Sequence, residues 1–181
     1  MNKSYTKITC ESRIYLPLRG LTVGSSGNMQ AVDGTAAGGG IHSPPLLAPS
    51  MYARFSRGKV YLAAEYDRIP INAFLTIGSA VLPFSVDGRS WFVMGSYRIR
   101  QHFQVGSYYS HYVNKSLDTS QPENFSKDWV VCACYEFSAY FYGKMEAHFL
   151  RGTGLGYYGS TNPNGLTPDS NMLAAKVGFS F

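Results

Sequence analysis

The chain has 181 residues, enough for one domain with its own core, yet only 15% are charged while 15% are aromatic, with 14 Tyr, 11 Phe and 19 Gly. The formal charge of +5 is scattered in ones and twos, so no basic block of the nucleic-acid-binding kind is present, and three Cys and four His are too few and too dispersed for a disulfide framework or a zinc signature. No run approaches the roughly 18 apolar residues that a membrane helix requires, and the opening "MNKSYTKITCESRIYLPL" has no apolar stretch behind its lysines to serve as a signal peptide.

Alternation with a period of two, broken by turn residues, predicts nine strands. The first two fall at 5–16 and 20–29, separated by the tight connector Pro17 to Gly20. A long segment at 30–47, rich in Gly, Ser and Pro, leads to strands at 48–57 and 60–68 joined by Gly58-Lys59. A second long segment at 69–88 precedes strands at 89–98 and 102–112, with a tight turn at Ile99 to Gln101. A third, at 113–126, leads to strands at 127–137 and 140–151 around Ser138-Ala139. The fourth, at 152–170, contains "GSTNPNGLTPDS" and precedes the last strand at 171–181. Most of these strands run about 9 to 12 residues, longer than the usual 5 or 6 and close to the roughly 9 to 11 of a tilted strand crossing a bilayer. Short turns at one end and long loops at the other are the connectivity of a transmembrane β-barrel.

The charges follow the same pattern. With parity set by the aliphatic and aromatic residues, one face carries Ile8, Ile14, Val23, Phe55, Leu62, Tyr66, Trp91, Val93, Tyr109, Trp129, Val131, Tyr135, Met145, Phe149, Val177 and Phe179. The opposite face carries six basic residues (Lys7, Arg13, Arg54, Arg98, Lys144, Lys176) and six acidic ones (Glu11, Glu65, Asp67, Asp128, Glu136, Glu146). On the apolar face, charges survive only near strand ends, at Arg57, Arg68, Arg89, Lys127 and Arg151. Lipid imposes such a distribution, because Lys or Arg on the lipid face costs about 2–4 kcal/mol at mid-membrane and almost nothing at the interface. Alternation alone says which residues share a side and not which solvent lies there, so a soluble β-barrel or sandwich that binds an anionic ligand stays open. Strand length, the two connector classes and the aromatic residues near strand ends favour the membrane.

In that frame the predicted lumen wall holds Arg54, Glu65, Asp67, Arg98, Lys144, Glu146, His148 and Lys176, and its balance of charge argues against strong anion selectivity. Lipid-facing and girdle positions are Trp91, Trp129, Tyr135, Phe149 and Phe179. Catalysis is not expected, since no nucleophile, base and orienting group stand at informative spacing. "GTGLGYYG" lacks the strand before and helix after that a phosphate-cradling loop needs, so it reads as an outer loop. Cys132 and Cys134 share a strand face near Lys144, Glu146 and His148, yet a soft-metal site there is the weaker reading, and neither metal nor cofactor is expected.

The stretches "RGKVYLAAEYDR", "RSWFVMGSYRI", "VGSYYSHYVN" and "FYGKMEAHFLRGTGLGYYGSTNPNGL", with the terminal "VGFSF", resemble the C-terminal part of bacterial outer-membrane porins grouped loosely with phosphate-selective porins. The resemblance covers about residues 45 to 181 and rests on hairpin signatures rather than chemical sites. It implies an all-β, antiparallel transmembrane barrel in the bacterial outer membrane, passing small hydrophilic solutes by passive diffusion. It also implies contact with outer-membrane lipid, a possible homo-trimer, and a terminal Phe181 similar to the signal read by the barrel-assembly machinery. A non-conducting structural barrel would share every one of these features. Nine strands is an odd count where bacterial single-chain barrels have an even one, so the chain is expected to be the C-terminal portion of a longer porin.

Overall fold

The computed structural model describes residues 2–36, 39–155 and 166–179, and within them nine strands form one antiparallel sheet. They are β1 (Asn2–Tyr15), β2 (Leu21–Ala36), β3 (Gly39–Arg57), β4 (Val60–Ile77), β5 (Ala80–Arg100), β6 (Phe103–Asn114), β7 (Phe125–Ser138), β8 (Phe141–Arg151) and β9 (Asp169–Phe179). Each strand pairs with the next in sequence, so β1 and β9 are the edges among the described residues. A single 3-10 turn, Pro122–Asn124, interrupts the β6–β7 connection.

Two of the four expected long loops are instead hairpin arms. β2 continues to Ala36 and β3 starts at Gly39, while β4 and β5 meet at a two-residue turn of Gly78 and Ser79. Prolines in these segments suggested loops, and the ladder shows why strands tolerate them. Pro44, Pro45 and Pro70 lie where β3 and β4 lose register between His42 and Ser50, so no cross-strand bond on that side is forfeited. Pro83 lies on β5 above the level where β6 begins pairing at Gly88, which makes it an edge position. Gly78 and Gly58 both have φ +60, with Ser79 and Lys59 after them on the ordinary side of φ, as a type II′ hairpin turn requires. The connector at 115–124 and the described parts of the next one, 152–155 and 166–168, remain outside the strands.

Burial in this sheet runs opposite to that of a soluble protein. Ala63, Ala73, Ser126 and Val130 are buried on the face that carries the charges, where Val130 has no exposed surface, and only Val113, at the upper end of β6, is buried on the other face among the described side chains. On the other face Trp129 is 56% exposed, Val177 59%, Leu173 71% and Phe179 72%. The charged face is therefore the inner one. No second sheet covers the apolar face among the described residues, which removes the sandwich alternative, and a soluble barrel would put its apolar side inward.

Candidate functional site: the charged inner face

The strand registers tie the inner face into continuous rows. One row runs Met172, His148, Val130, Tyr108, Met94, Ala63 and Arg54 across β9 to β3. A second runs Asp128, Ser110, Phe92, Glu65, Tyr52, Gly24 and Arg13 from β7 to β1. Lys176 lies opposite Lys144, Lys144 opposite Cys134, Cys134 opposite Gln104, and Gln104 opposite Arg98. Asp67 pairs Ser50 and Ser90 in the row above Glu65. All eight residues expected at the lumen therefore share one side of the sheet.

Acids and bases on this side are largely matched locally. Lys144 Nζ lies 2.9 Å from Glu146 Oε1, and His148 Nδ1 lies 2.8 Å from Asp128 Oδ2. The His148 and Asp128 side chains are only 12% and 16% exposed, the most sequestered ionisable pair described here. Tyr108 meets His148 edge to face at 6.4 Å. Further along the wall, Arg13 donates to Glu11 at 2.9 Å and to the Tyr52 hydroxyl at 3.0 Å, while the Arg54 guanidinium sits 4.8 Å from the Tyr52 ring centroid. Gly24 makes this cluster possible. A Cβ there would strike the Tyr52 ring, so only glycine lets that ring lie across β2 to reach Arg13. Arg98 and Glu136 approach at 3.7 Å.

The sequence pattern missed the partnership of Asp128 with His148. It is diagonal across β7 and β8, and it follows once the tight turn fixes Val130 opposite His148. The Cys132 and Cys134 neighbours are Glu146 and Lys144, and among the described residues no three His, Cys, Asp or Glu side chains converge closely enough to hold a metal ion. Among the described residues the only side-chain hydrogen bond of His148 is to Asp128.

The outer face carries two aromatic belts. The lower one runs from Phe103 to Tyr135 (6.5 Å between centroids), Tyr135 to Phe137 (5.1 Å), Phe137 to Phe141 (4.9 Å) and Phe141 to Phe179 (4.9 Å). The upper one pairs Trp91 with Tyr109 at 5.3 Å and Trp129 with Phe149 at 6.1 Å. From Phe141 to Phe149 is eight residues, and at ~3.3 Å each with a ~40° tilt the belts stand roughly 20 Å apart, close to the apolar band of outer-membrane barrels. Directly above the upper belt lie Arg68, Arg89, Lys127 and Arg151. Trp91, Trp129, Tyr135, Phe149 and Phe179 all fall in these belts. Phe181 lies outside the described residues.

Two solved outer-membrane proteins share this fold. The porin NanC matches with a TM-score of 0.50 at 9% identity, over 99% of this chain and 96% of that one. The fold is that of an outer-membrane β-barrel. The toluene transporter TodX of Pseudomonas putida matches with a TM-score of 0.51 at 11% identity, over 98% of this chain and 61% of the transporter, so the chain spans about six-tenths of that protein. Neither is described as a phosphate-selective porin. The sequence matches no protein-family model and no curated protein.

Proposed function

We propose that this barrel is an outer-membrane channel through which small hydrophilic solutes diffuse passively, without catalysis or cofactor. The supporting observation is the inversion of burial. Charged and hydroxylated side chains line the sequestered side, large apolar ones cover the exposed side, and the wall carries six acidic and six basic residues, some of them paired within β8 (Lys144 with Glu146) or between β7 and β8 (Asp128 with His148). Such a wall offers water and small solutes a polar path while presenting no dominant charge, so its ion preference is weak. The names of the two structural neighbours, a porin and a transporter, agree with a conducting role.

Lipid leaves unpaired backbone groups at an open edge unsatisfied, so β1 and β9 either join in a seam or are extended by further strands. The second arrangement suits a longer, even-stranded porin with Phe181 as its assembly signal, and assembly into a trimer would bury part of the outer face. Reconstitution in a planar bilayer tests the channel. Discrete conductance steps with a reversal potential near zero in a salt gradient are expected. A protein that inserts and shows heat-modifiable gel mobility, yet passes no current, would instead be a structural barrel.

A further inference from the structure

Two like-charged pairs sit at equivalent heights above the upper aromatic belt, and the protein treats them differently. Arg68 faces Arg89 across β4 and β5, and Asp87 accepts a hydrogen bond from each, at 2.7 Å and 2.8 Å. Lys127 faces Arg151 across β7 and β8 in the same manner. No acid stands between them. Arg151 reaches only Asp169, at 3.6 Å, with both side chains more than three-quarters exposed. Lys127 makes no ion pair among the described residues, and its ammonium rests 5.3 Å from the Phe125 ring centroid. Like charges directly opposite one another in a ladder repel, and Asp169 engages Arg151 alone, so among the described residues Lys127 and Arg151 lack a shared acid of the kind that Asp87 provides to their counterparts.

The space for a shared anion is present. A cleft of about 730 Å³ is lined by Lys127 and Arg151, with Asp169 beside Arg151 at its β9 edge, and is floored by Trp129 and Phe149. Below that floor the surface continues as exposed apolar side chains, including Val131 at 47% and Leu173 at 71%. We propose that the cleft binds the phosphate of an outer-leaflet lipid headgroup, with Lys127 and Arg151 as its ligands and the acyl chains running down over Trp129 and Phe149. A free phosphate ion would use the cations and leave the apolar column unused, whereas a phosphorylated lipid matches both at once. This site rests on the reading of the outer face as lipid-facing.

The test uses the folded chain in a non-ionic maltoside detergent, titrated with an acylated disaccharide bisphosphate, with its phosphatase-treated form, and with inorganic phosphate, and read by native mass spectrometry and tryptophan fluorescence. At about fivefold per cation, removing the phosphates is expected to weaken wild-type binding roughly thirtyfold, and K127Q/R151Q is expected to weaken binding of the intact lipid by about the same factor. Inorganic phosphate at equal concentration is expected not to displace the lipid. The phosphatase arm needs no variant, so it decides the matter if the double substitution impairs folding. Equal affinity for both lipid forms, or a double variant within threefold of wild type, would overturn the site while leaving the barrel intact. Tight binding of inorganic phosphate alone would identify a free-anion site instead. A wild-type protein without heat-modifiable mobility would remove the barrel reading and this inference together.

Discussion

Met145 offers the most direct test of which solvent the apolar face meets. It lies midway along β8 between Phe141 and Phe149, opposite Ala133 on β7 and Ala175 on β9, and is 56% exposed. In water an Arg at such a position would be nearly neutral, since exposed surface substitutions usually fall within about 0.5 kcal/mol. At the centre of a bilayer it costs about 2–4 kcal/mol, which is roughly a 30- to 900-fold shift in the folding equilibrium. Ala174 is the internal control, because it is one residue from Ala175 and points to the other side, opposite Glu146. An Arg there gains an acidic neighbour and a polar wall. Both variants would be folded into phosphatidylcholine vesicles and unfolded in guanidinium, with tryptophan fluorescence and gel mobility as independent readouts. Met145→Arg should lose about 2–4 kcal/mol and Ala174→Arg less than about 1 kcal/mol. Equal losses, or a Met145→Arg cost below about 0.5 kcal/mol, would refute the assignment of this face to lipid.

The remaining predictions address the wall, the rim and the turns. Single cysteines at positions 144 and 176, in a background lacking the three native thiols, should react with a membrane-impermeant maleimide in vesicles, whereas cysteines at 149 and 177 should not; the reverse pattern would exchange the two faces. At the outer rim, hydrogen bonds from Arg68 and Arg89 hold the Asp87 carboxyl below the usual carboxylate range. A depressed folded-state pKa means that its stabilisation is present above about pH 4 and is lost as the pH falls through the folded value. Amide exchange in the Ile69–Asp87 arm should therefore accelerate in strong acid, and Asp87→Asn should exchange fast at every pH; an unchanged wild-type profile down to pH 2 would contradict this. Gly58 has φ +60 with open space around its Cα, so Gly58→Ala should cost about 1 kcal/mol through backbone strain alone, and a measured gain in stability would exclude the type II′ turn.

How far the chain could be read unaided depends on the range of the physics involved. Side-chain alternation is a local property of a pleated strand, so the sequence alone separates Lys144 from Val177 and Trp129, and the register places Val177 and Trp129 on one side of the sheet and Lys144 on the other. The count of nine strands and their lengths through the apolar band were legible for the same reason. The arms at 30–47 and 69–88 were not, although Gly78-Ser79 between two apolar runs is a hairpin signal. Proline reads locally as a strand breaker, and only the lateral arrangement of strands shows that Pro70 and Pro83 lie where no partner needs their missing N–H.

The sequence by itself determined the strands, their two faces and the polar character of one of them, because those depend on neighbours two residues away. Tertiary structure alone decided which face is enclosed, since curvature belongs to the sheet as a whole. It also decided which charges meet. His148 with Asp128, Arg13 with Tyr52 across Gly24, and Lys127 facing Arg151 without an acid between them all join residues on different strands, and no local pattern encodes the register that brings them together.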